Sequence, residues 1–395
     1  MMVRGGAVVA VAGTWRANGE LSRRHRAWRG ISSLSAAAAL VGAMAAGSGT
    51  ARAQQAAQAA AQPAAQSANQ ASAEPETQPL QVFFADVEGG QATLFITPDK
   101  HSLLIDTGWP DNKGRDADRI ALLARRAGIN RIDDVLITHY HTDHAGGVPQ
   151  LVERIPVDTF IDHGPNRQTD DPATEAAYEA YQKVLATGKY HHIVAKPGDE
   201  LLMPGLNVEV LTSDGNFIQQ PLPGAGQPNP YCRDSAVRPP DKTENARSVG
   251  VLITFGKLKI LDLGDLTWDK EMDMMCPNNR IGHVDVLIVS HHGWYQSSSP
   301  ALVDAITPRV AIMDNGANKG GSKVTIETIR RIPGLETLWQ LHYSEEAGAD
   351  NPPAEDIANV QGEDTGLFLE LTAQPDGSFA VLNPRTGKTQ QYAAR

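Results

Sequence analysis

Three histidines and an aspartate fall within six residues in the segment Leu136-Ile137-Thr138-His139-Tyr140-His141-Thr142-Asp143-His144. Val135–Thr138 reads as a short buried strand. Alternate side chains at a strand end point to one side, so His139 and His141 can ligate one metal ion together. The chain must then turn, and Asp143 and His144 can face a second metal nearby. Gly146 and Gly147 follow, permitting the tight turn and close backbone approach of a helix start. Imidazole and carboxylate at this spacing suit zinc or a similar borderline metal. The competing reading is a His-rich surface loop, and three His directly behind a buried strand weigh against it.

The elements that must hold these groups are β-rich runs alternating with helices. Val82–Ala85, Thr93–Thr97 and Ser102–Asp106 read as strands, with Pro98-Asp99-Lys100 as a hairpin turn. Asp116–Ala127 reads as a helix with Ile120, Leu123 and Ala127 on one face, stopped by Gly128. Pro149–Arg154 and Pro172–Thr187 read as further helices. A second half repeats the style. It has a hairpin, Val249–Phe255 with Lys259–Leu263, then strands Val284–Ser290 and Arg309–Met313. Ala301–Ile306 and Thr325–Arg331 read as helices there, and Leu367–Leu371 and Phe379–Leu382 as closing strands. Two such halves predict two sheets packed face to face with helices outside, a four-layer αβ/βα sandwich of the α/β class. Residues 215–246 are rich in Pro and Gly and lack periodicity; a loop of that kind is expected to border the active site.

The 395 residues are 41% hydrophobic and 21% charged, with a formal net charge of −11. Residues 1–53 carry seven Arg against the single acid Glu20, which leaves 28 basic and 45 acidic residues beyond them, a net of −17. A body that acidic repels a polyanion at long range and argues against a general nucleic-acid binder. A positive stretch from Arg23 to Arg29, an Ala-rich apolar stretch from Ile31 to Ala46 and Ala51-Arg52-Ala53 have the layout of an export signal cleaved after Ala53. Ser22-Arg23-Arg24 hints at a twin-arginine signal, so the route, Sec or Tat, stays open. Residues 54–79, almost all Ala, Gln, Ser, Pro and Glu, read as a disordered tether, leaving 80–395 as the folded domain. No membrane anchor is expected after cleavage, and the location expected is periplasmic or secreted. Cys232 and Cys276 are open to pairing in an oxidising compartment, or to standing as free thiols.

His139-x-His141-x-Asp143-His144 resembles the signature of the metallo-β-lactamase fold superfamily. Asp86-Val87-Glu88-Gly89-Gly90-Gln91-Ala92, Leu104-Ile105-Asp106-Thr107-Gly108, Leu263-Gly264-Asp265-Leu266 and Val289-Ser290-His291-His292-Gly293 resemble segments of its competence-type (ComEC/Rec2-like) members. Glu244-Asn245-Ala246-Arg247-Ser248 resembles the Asn/Ser segment that precedes the Gly-Asp motif there. The resemblance covers about residues 80–312. It implies that His139 and His141 bind one metal, that Asp143 and His144 bind a second, and that Asp265 bridges both. One histidine of the pair His291 and His292 completes the second site, with His291 preferred because it comes first off its strand. The remaining first-site histidine should follow a strand, which makes His163 the candidate; His191 and His192 are alternatives expected to be solvated. Asp106 is expected to order the site from behind the ligands.

Two zinc ions are the implied cofactors, with manganese or iron(II) as substitutes. Such a pair acidifies a bridging water, holds hydroxide in place and polarises the bond under attack, with Asp143 in proton transfer. The expected activity is hydrolysis of a small or medium substrate. A phosphodiester or nucleotide is favoured over a lactone or β-lactam, and no stable nucleic-acid partner is expected. Asn315 and Lys319, in the Asp314–Gly321 turn, are candidate substrate contacts. Trp294 and Tyr295 could wall the pocket, and His342 reads as a packed or rim residue. The alternative function is a non-catalytic, metal-containing binding or sensor protein of the same fold.

Overall fold

β1 (Leu80–Phe84) lies between strands from opposite ends of the domain, and that placement organises the molecule. The computed structural model describes residues 78–395 except Asp111 and Glu363. The export signal and nearly all of the tether lie outside the described residues. β2 (Thr93–Ile96), β3 (Ser102–Ile105), β4 (Ile132–Leu136), β5 (Val157–Asp162) and β6 (His191–Val194) extend the first sheet on one side of β1. The second sheet is built from β7 (Glu200–Met203), β8 (Leu206–Ser213), β10 (Gly250–Phe255), β11 (Leu258–Asp262), β12 (Val286–Ile288), β13 (Val310–Met313), β14 (Thr337–His342) and β15 (Ile357–Asn359), with the short β9 (Asn216–Phe217) paired to β8. β16 (Leu369–Ala373), β17 (Phe379–Asn383) and β18 (Lys388–Tyr392) return to the first sheet, where β16 pairs antiparallel with β1 from Leu80 opposite Ala373 to Phe84 opposite Leu369.

The expected four-layer sandwich is present, and its halves are not separate. One apolar core fills the space between the sheets, including Val82, Phe84, Ile105 and Leu136 from the first and Val208, Ile253, Ile288 and Trp339 from the second. Each such side chain is worth roughly 1.5–3 kcal/mol by leaving water. Helices cover the outer faces. On the first sheet, α1 (Arg115–Arg126) buries Ala117, Ile120, Ala121 and Ala124, the three-and-four spacing of one helical stripe. On the second, α2 (Pro300–Ile306) and α3 (Lys323–Arg330) bury Leu302, Val303, Ile326 and Ile329.

The sequence reading missed the helix Trp268–Met275, the hairpin β7–β8 and the last strand β18. β18 carries only one large apolar residue, Tyr392, which stacks on Phe379 at 4.6 Å and accepts a hydrogen bond from Trp339 Nε1. An edge strand with one buried anchor has little hydrophobic pattern to detect. The strand β6 holds His191 and His192 at the exposed edge of the first sheet, consistent with their solvation.

The parallel strands set up the functional region. Asp106 follows β3 directly, His139 follows β4 by three residues, and His163 follows β5 directly. Asp265, His291 and Asp314 follow β11, β12 and β13 in the same way. All six sit past the carboxyl ends of parallel strands, where α/β sheets leave a crevice.

Candidate metal centre

The backbone around the histidines is fixed before any ligand is considered. Thr138 N donates to Asp106 Oδ1 at 2.8 Å and Thr138 Oγ1 to Asp106 Oδ2 at 2.7 Å, tying the end of β4 to the end of β3. His141 then precedes the short helix Thr142–Ala145, which carries Asp143 and His144 inward. A Cβ on Gly147 would lie 2.1 Å from Thr107 O, so that position has no room for a side chain. Both glycines here have ordinary negative φ, so close approach is what requires Gly147. At Gly264, by contrast, φ is +54°, and a Cβ would also lie 2.8 Å from that of Thr138. His291 and His292 both adopt left-handed backbone, with φ of 58° and 53°. Two consecutive non-glycine residues in that region are costly and persist only when the surroundings enforce them. Here His291 N donates to Gly264 O at 3.1 Å, which couples this turn to the one carrying Asp265.

Two groups of potential ligand atoms result, each within 4.8 Å of one another: His139, His141 and Asp265 in one, and Asp143, His144, Asp265 and His292 in the other. His139 Nε2 lies 3.0 Å from His141 Nδ1, and His144 Nε2 lies 3.1 Å from His292 Nε2. Asp265 Oδ2 lies 3.8 Å from His139 and 3.3 Å from His144, while its Oδ1 lies 3.4 Å from His292. Asp265 therefore belongs to both groups.

The donor set fits divalent metal ions. Asp265 Oδ1 is buried without a hydrogen-bond donor, an expensive state for a carboxylate oxygen unless a cation supplies the missing partner. The paired imidazole nitrogens face each other, and the outer nitrogens of His139, His141 and His144 are already engaged. His144 Nδ1 donates to Asp106 Oδ2 at 2.7 Å and His141 Nε2 to Gln168 Oε1 at 3.0 Å. Those bonds leave the lone pairs of His144 Nε2 and His141 Nδ1 pointing into the groups, the arrangement that orients metal-binding histidines. His292 Nδ1 lies 3.5 Å from Asp314 Oδ1.

The charged groups of the centre act strongly on one another. Burial would raise the Asp143 and Asp265 carboxyls, but Lys319 and His144 beside the first, and His144, His292 and His291 beside the second, hold both well below the usual range. Burial opposes protonation of His144 and His292, yet the facing carboxylates push His144 well up and His292 to about 10. His139 is driven well down by burial and by the imidazoles of His144 and His141.

Three placements differ from expectation, and one open pairing is decided. His163 joins neither group; its Nε2 donates to Glu244 Oε2 at 2.8 Å, and Glu244 also accepts from Tyr140 N and Arg167 N. His292, not the preferred His291, lies in the second group. His291 Nε2 stands 3.5 Å from Asp265 Oδ2 and 3.2 Å from Asn245 Nδ2, toward the rim. Asn315 is fully buried and donates to the Gly316 and His342 carbonyls, which leaves it no substrate to touch. Cys232 and Cys276 are joined, at 2.08 Å between sulfurs. Lys319 does reach the centre: its Nζ bonds to Asp143 and to Gly89 O, 5.4 Å from the Trp109 ring. His191 and His192 stay apart, His192 pairing with Asp162 at 2.8 Å.

Sequence reasoning missed Gln168, which sits in a loop with no motif of its own, and gave no role to Asp314 although it singled out the turn that Asp314 opens. Ser248, whose hydroxyl accepts from Asp265 N at 3.2 Å, and Glu244 lie in the segment singled out as Asn/Ser-containing. A third cluster, Asp86, Glu88 and His342, already has a cation: Arg119 Nη1 donates to Asp86 Oδ2 at 3.1 Å, and His342 lies 2.6 Å from Asp86 Oδ1.

Residues 86–216 match the family model described as Metallo-beta-lactamase superfamily. The chain carries a metallo-beta-lactamase superfamily domain. The chain is similar to "Recombination protein 2" of Haemophilus influenzae, 25% identical over 238 residues that make up 60% of this chain and 24% of that protein. It is also similar to "Hydroxyacylglutathione hydrolase" of Stenotrophomonas maltophilia, 34% identical over 105 residues, 27% of this chain and 37% of that protein. The chain thus spans about a quarter of the first relative's length and just over a third of the second's. Among solved structures, the metallo-beta-lactamase fold protein YhfI from Bacillus subtilis aligns with a TM-score of 0.41 at 14% identity, over 66% of this chain and 96% of that one.

Proposed function

We propose that this chain is an exported hydrolase with a binuclear metal centre, acting on a small phosphodiester or nucleotide-type substrate. The observation that carries the reading is Asp265, one carboxylate shared by two groups of ligand atoms. Two divalent cations, zinc or alternatively manganese or iron(II), would when bound acidify a water between them and polarise the scissile group. His139, His141 and Asp265 would hold one cation, and Asp143, His144, Asp265 and His292 the other.

The chain's own groups divide the remaining work. Asp143 Oδ2 is engaged by Lys319, His144 and His292, so the proton released from water falls to Asp143 Oδ1. Lys319 Nζ offers a positive charge to a substrate oxygen beside the centre. A pocket of about 130 Å³ is lined by His291, His292, Trp294, Lys319 and Gly320. At roughly 30 Å³ per water it holds a compact head group rather than a fused ring system. Trp294 supplies an apolar wall of that pocket.

The disulfide supports export, because such bonds persist in oxidising compartments. The periplasm or the exterior is the location that follows. Among the described residues no helix is long and apolar enough to cross a membrane. Ester or thioester cleavage is the second reading, favoured by the 34% identity to the hydroxyacylglutathione hydrolase.

Metal analysis of mature protein, with a parallel screen of phosphodiester, lactone, thioester and β-lactam chromogens, tests the proposal. Close to two equivalents of transition metal and a hydrolytic signal lost in Asp265→Ala are expected. Folded protein holding well under one equivalent, or activity surviving that substitution undiminished, would refute it.

A further inference from the structure

The loop expected to border the site carries an arginine without a carboxylate. Among the described residues, Arg238 reaches no carboxylate within 4.0 Å, as is also true of Arg233 and Arg247 nearby, whereas Arg167 pairs with Asp214. Arg238 is nevertheless held in place. Its guanidinium carbon lies 3.7 Å over the Trp268 ring, one N–H donates to Tyr295 O at 2.5 Å, and Trp268 Nε1 donates to Ala236 O at 2.8 Å. Pro239 and Pro240 stiffen the chain that follows. A guanidinium has five N–H donors in a fixed fork, and one is committed here.

This fork opens into a groove of about 430 Å³ whose walls are residues 238–241, 267–269 and 295–296. Two of those walls leave the metal centre itself: Thr267 follows Asp265 by two residues, and Tyr295 follows His292 by three. Tyr295 is 48% exposed, a flat apolar wall beside the cation. Asp241 and Asp269 also line the groove. Asp269 accepts from Thr267 Oγ1 and Asp241 N, and Asp241 accepts from Thr243 N and Oγ1. They make the groove bipolar: one position welcomes an anion, and the neighbouring ones repel another.

Resting on the hydrolase reading, we infer that the substrate carries a single phosphate or carboxylate remote from its scissile bond, and that Arg238 binds it in this groove. A half-buried, pre-oriented guanidinium is suited to a forked anion. The carboxylates beside it repel a run of phosphates, which makes the substrate a short molecule with one anionic group remote from the scissile bond and not a polynucleotide.

Calorimetric titration of the mature protein with phenyl phosphate, benzoate, phenol and an octathymidylate tests this. The same titrations on Asp265→Ala report the groove without the metal centre, so a failed metal reading leaves this readout intact. Phenyl phosphate and benzoate should bind in both proteins, phenol at least tenfold more weakly, and the octathymidylate no more tightly than phenyl phosphate. Arg238→Gln should weaken anion binding at least tenfold in both backgrounds, Arg238→Lys should restore part of it, and Lys319→Met in Asp265→Ala should leave it unchanged. Unaltered binding in Arg238→Gln, loss in Lys319→Met instead, absence of anion binding in Asp265→Ala, or tenfold tighter binding of the octathymidylate would each overturn the inference.

Discussion

His163 Nε2 and Glu244 Oε2 lie 2.8 Å apart in a pair whose side chains are both fully buried. The pair turns a histidine expected as a ligand into a strut that holds the 3₁₀ turn Glu244–Arg247 against the end of β5. Asn245 and Ser248 are thereby placed against His291 and Asp265.

Metal stoichiometry separates the histidines. His292→Ala should lower bound metal by about one equivalent. His163→Ala should leave stoichiometry unchanged but lower stability by roughly 1–3 kcal/mol, the cost of a buried carboxylate losing a partner. Elemental analysis and denaturant unfolding read the two effects. Loss of metal without loss of stability in His163→Ala would reverse the assignment.

Gln168 fixes the ring of His141 without touching the metal groups. Its side-chain oxygen also accepts from Glu244 N at 2.9 Å, so it cannot rotate away cheaply. Gln168→Leu should weaken metal affinity about 10–100-fold, the usual range for such supports. Competition with a chromophoric chelator measures it. An unchanged affinity would mean that His141 is oriented by other contacts.

Asp262 gives a pH dependence. Burial pushes its carboxyl up to about 7 from an ordinary value of 3.8, with Asp314 and Asp106 adding like charge, against hydrogen bonds from Gly264 N and Gln91. A carboxyl whose folded pKa is raised favours the folded state most when protonated. Its contribution is complete below about pH 3.8 and lost as the pH rises through about 7. Relative to wild type, Asp262→Asn should therefore gain stability across that window, by roughly 1–4 kcal/mol, and plateau above it. Melting temperatures of chelated protein over pH 4–9 test this; a pH-independent difference would contradict it.

Cys232–Cys276 closes 44 residues of chain and ties the loop that carries Arg238 to the end of the helix Trp268–Met275. Chain-entropy reasoning puts the loss in Cys232→Ser at about 4 kcal/mol. Reductant should lower the melting temperature of wild type and leave that of the variant unmoved. Alkylation before and after reduction should reveal two thiols only after it.

The metal centre was largely legible in the sequence because its ligands come in short motifs at strand ends. His139, His141, Asp143 and His144 share six residues, and Asp265 and His292 sit in compact turns. His291 and His292 could not be separated by spacing, since the left-handed backbone at both positions decides which ring faces inward. His163 stands outside both groups because following a strand is necessary for a ligand but not sufficient; Glu244, 81 residues away, claims its ring. Asn315 failed for the same reason, as burial is a tertiary property that a polar turn does not announce.

The pairing of Leu80 with Ala373 sets the order in which this protein can be made. While the chain is being synthesised, β1 has β2 on one flank and bare backbone on the other until the last tenth of the polypeptide has emerged. Completion of the first sheet is therefore a late event, and the opening strand waits for a partner some 285 residues downstream.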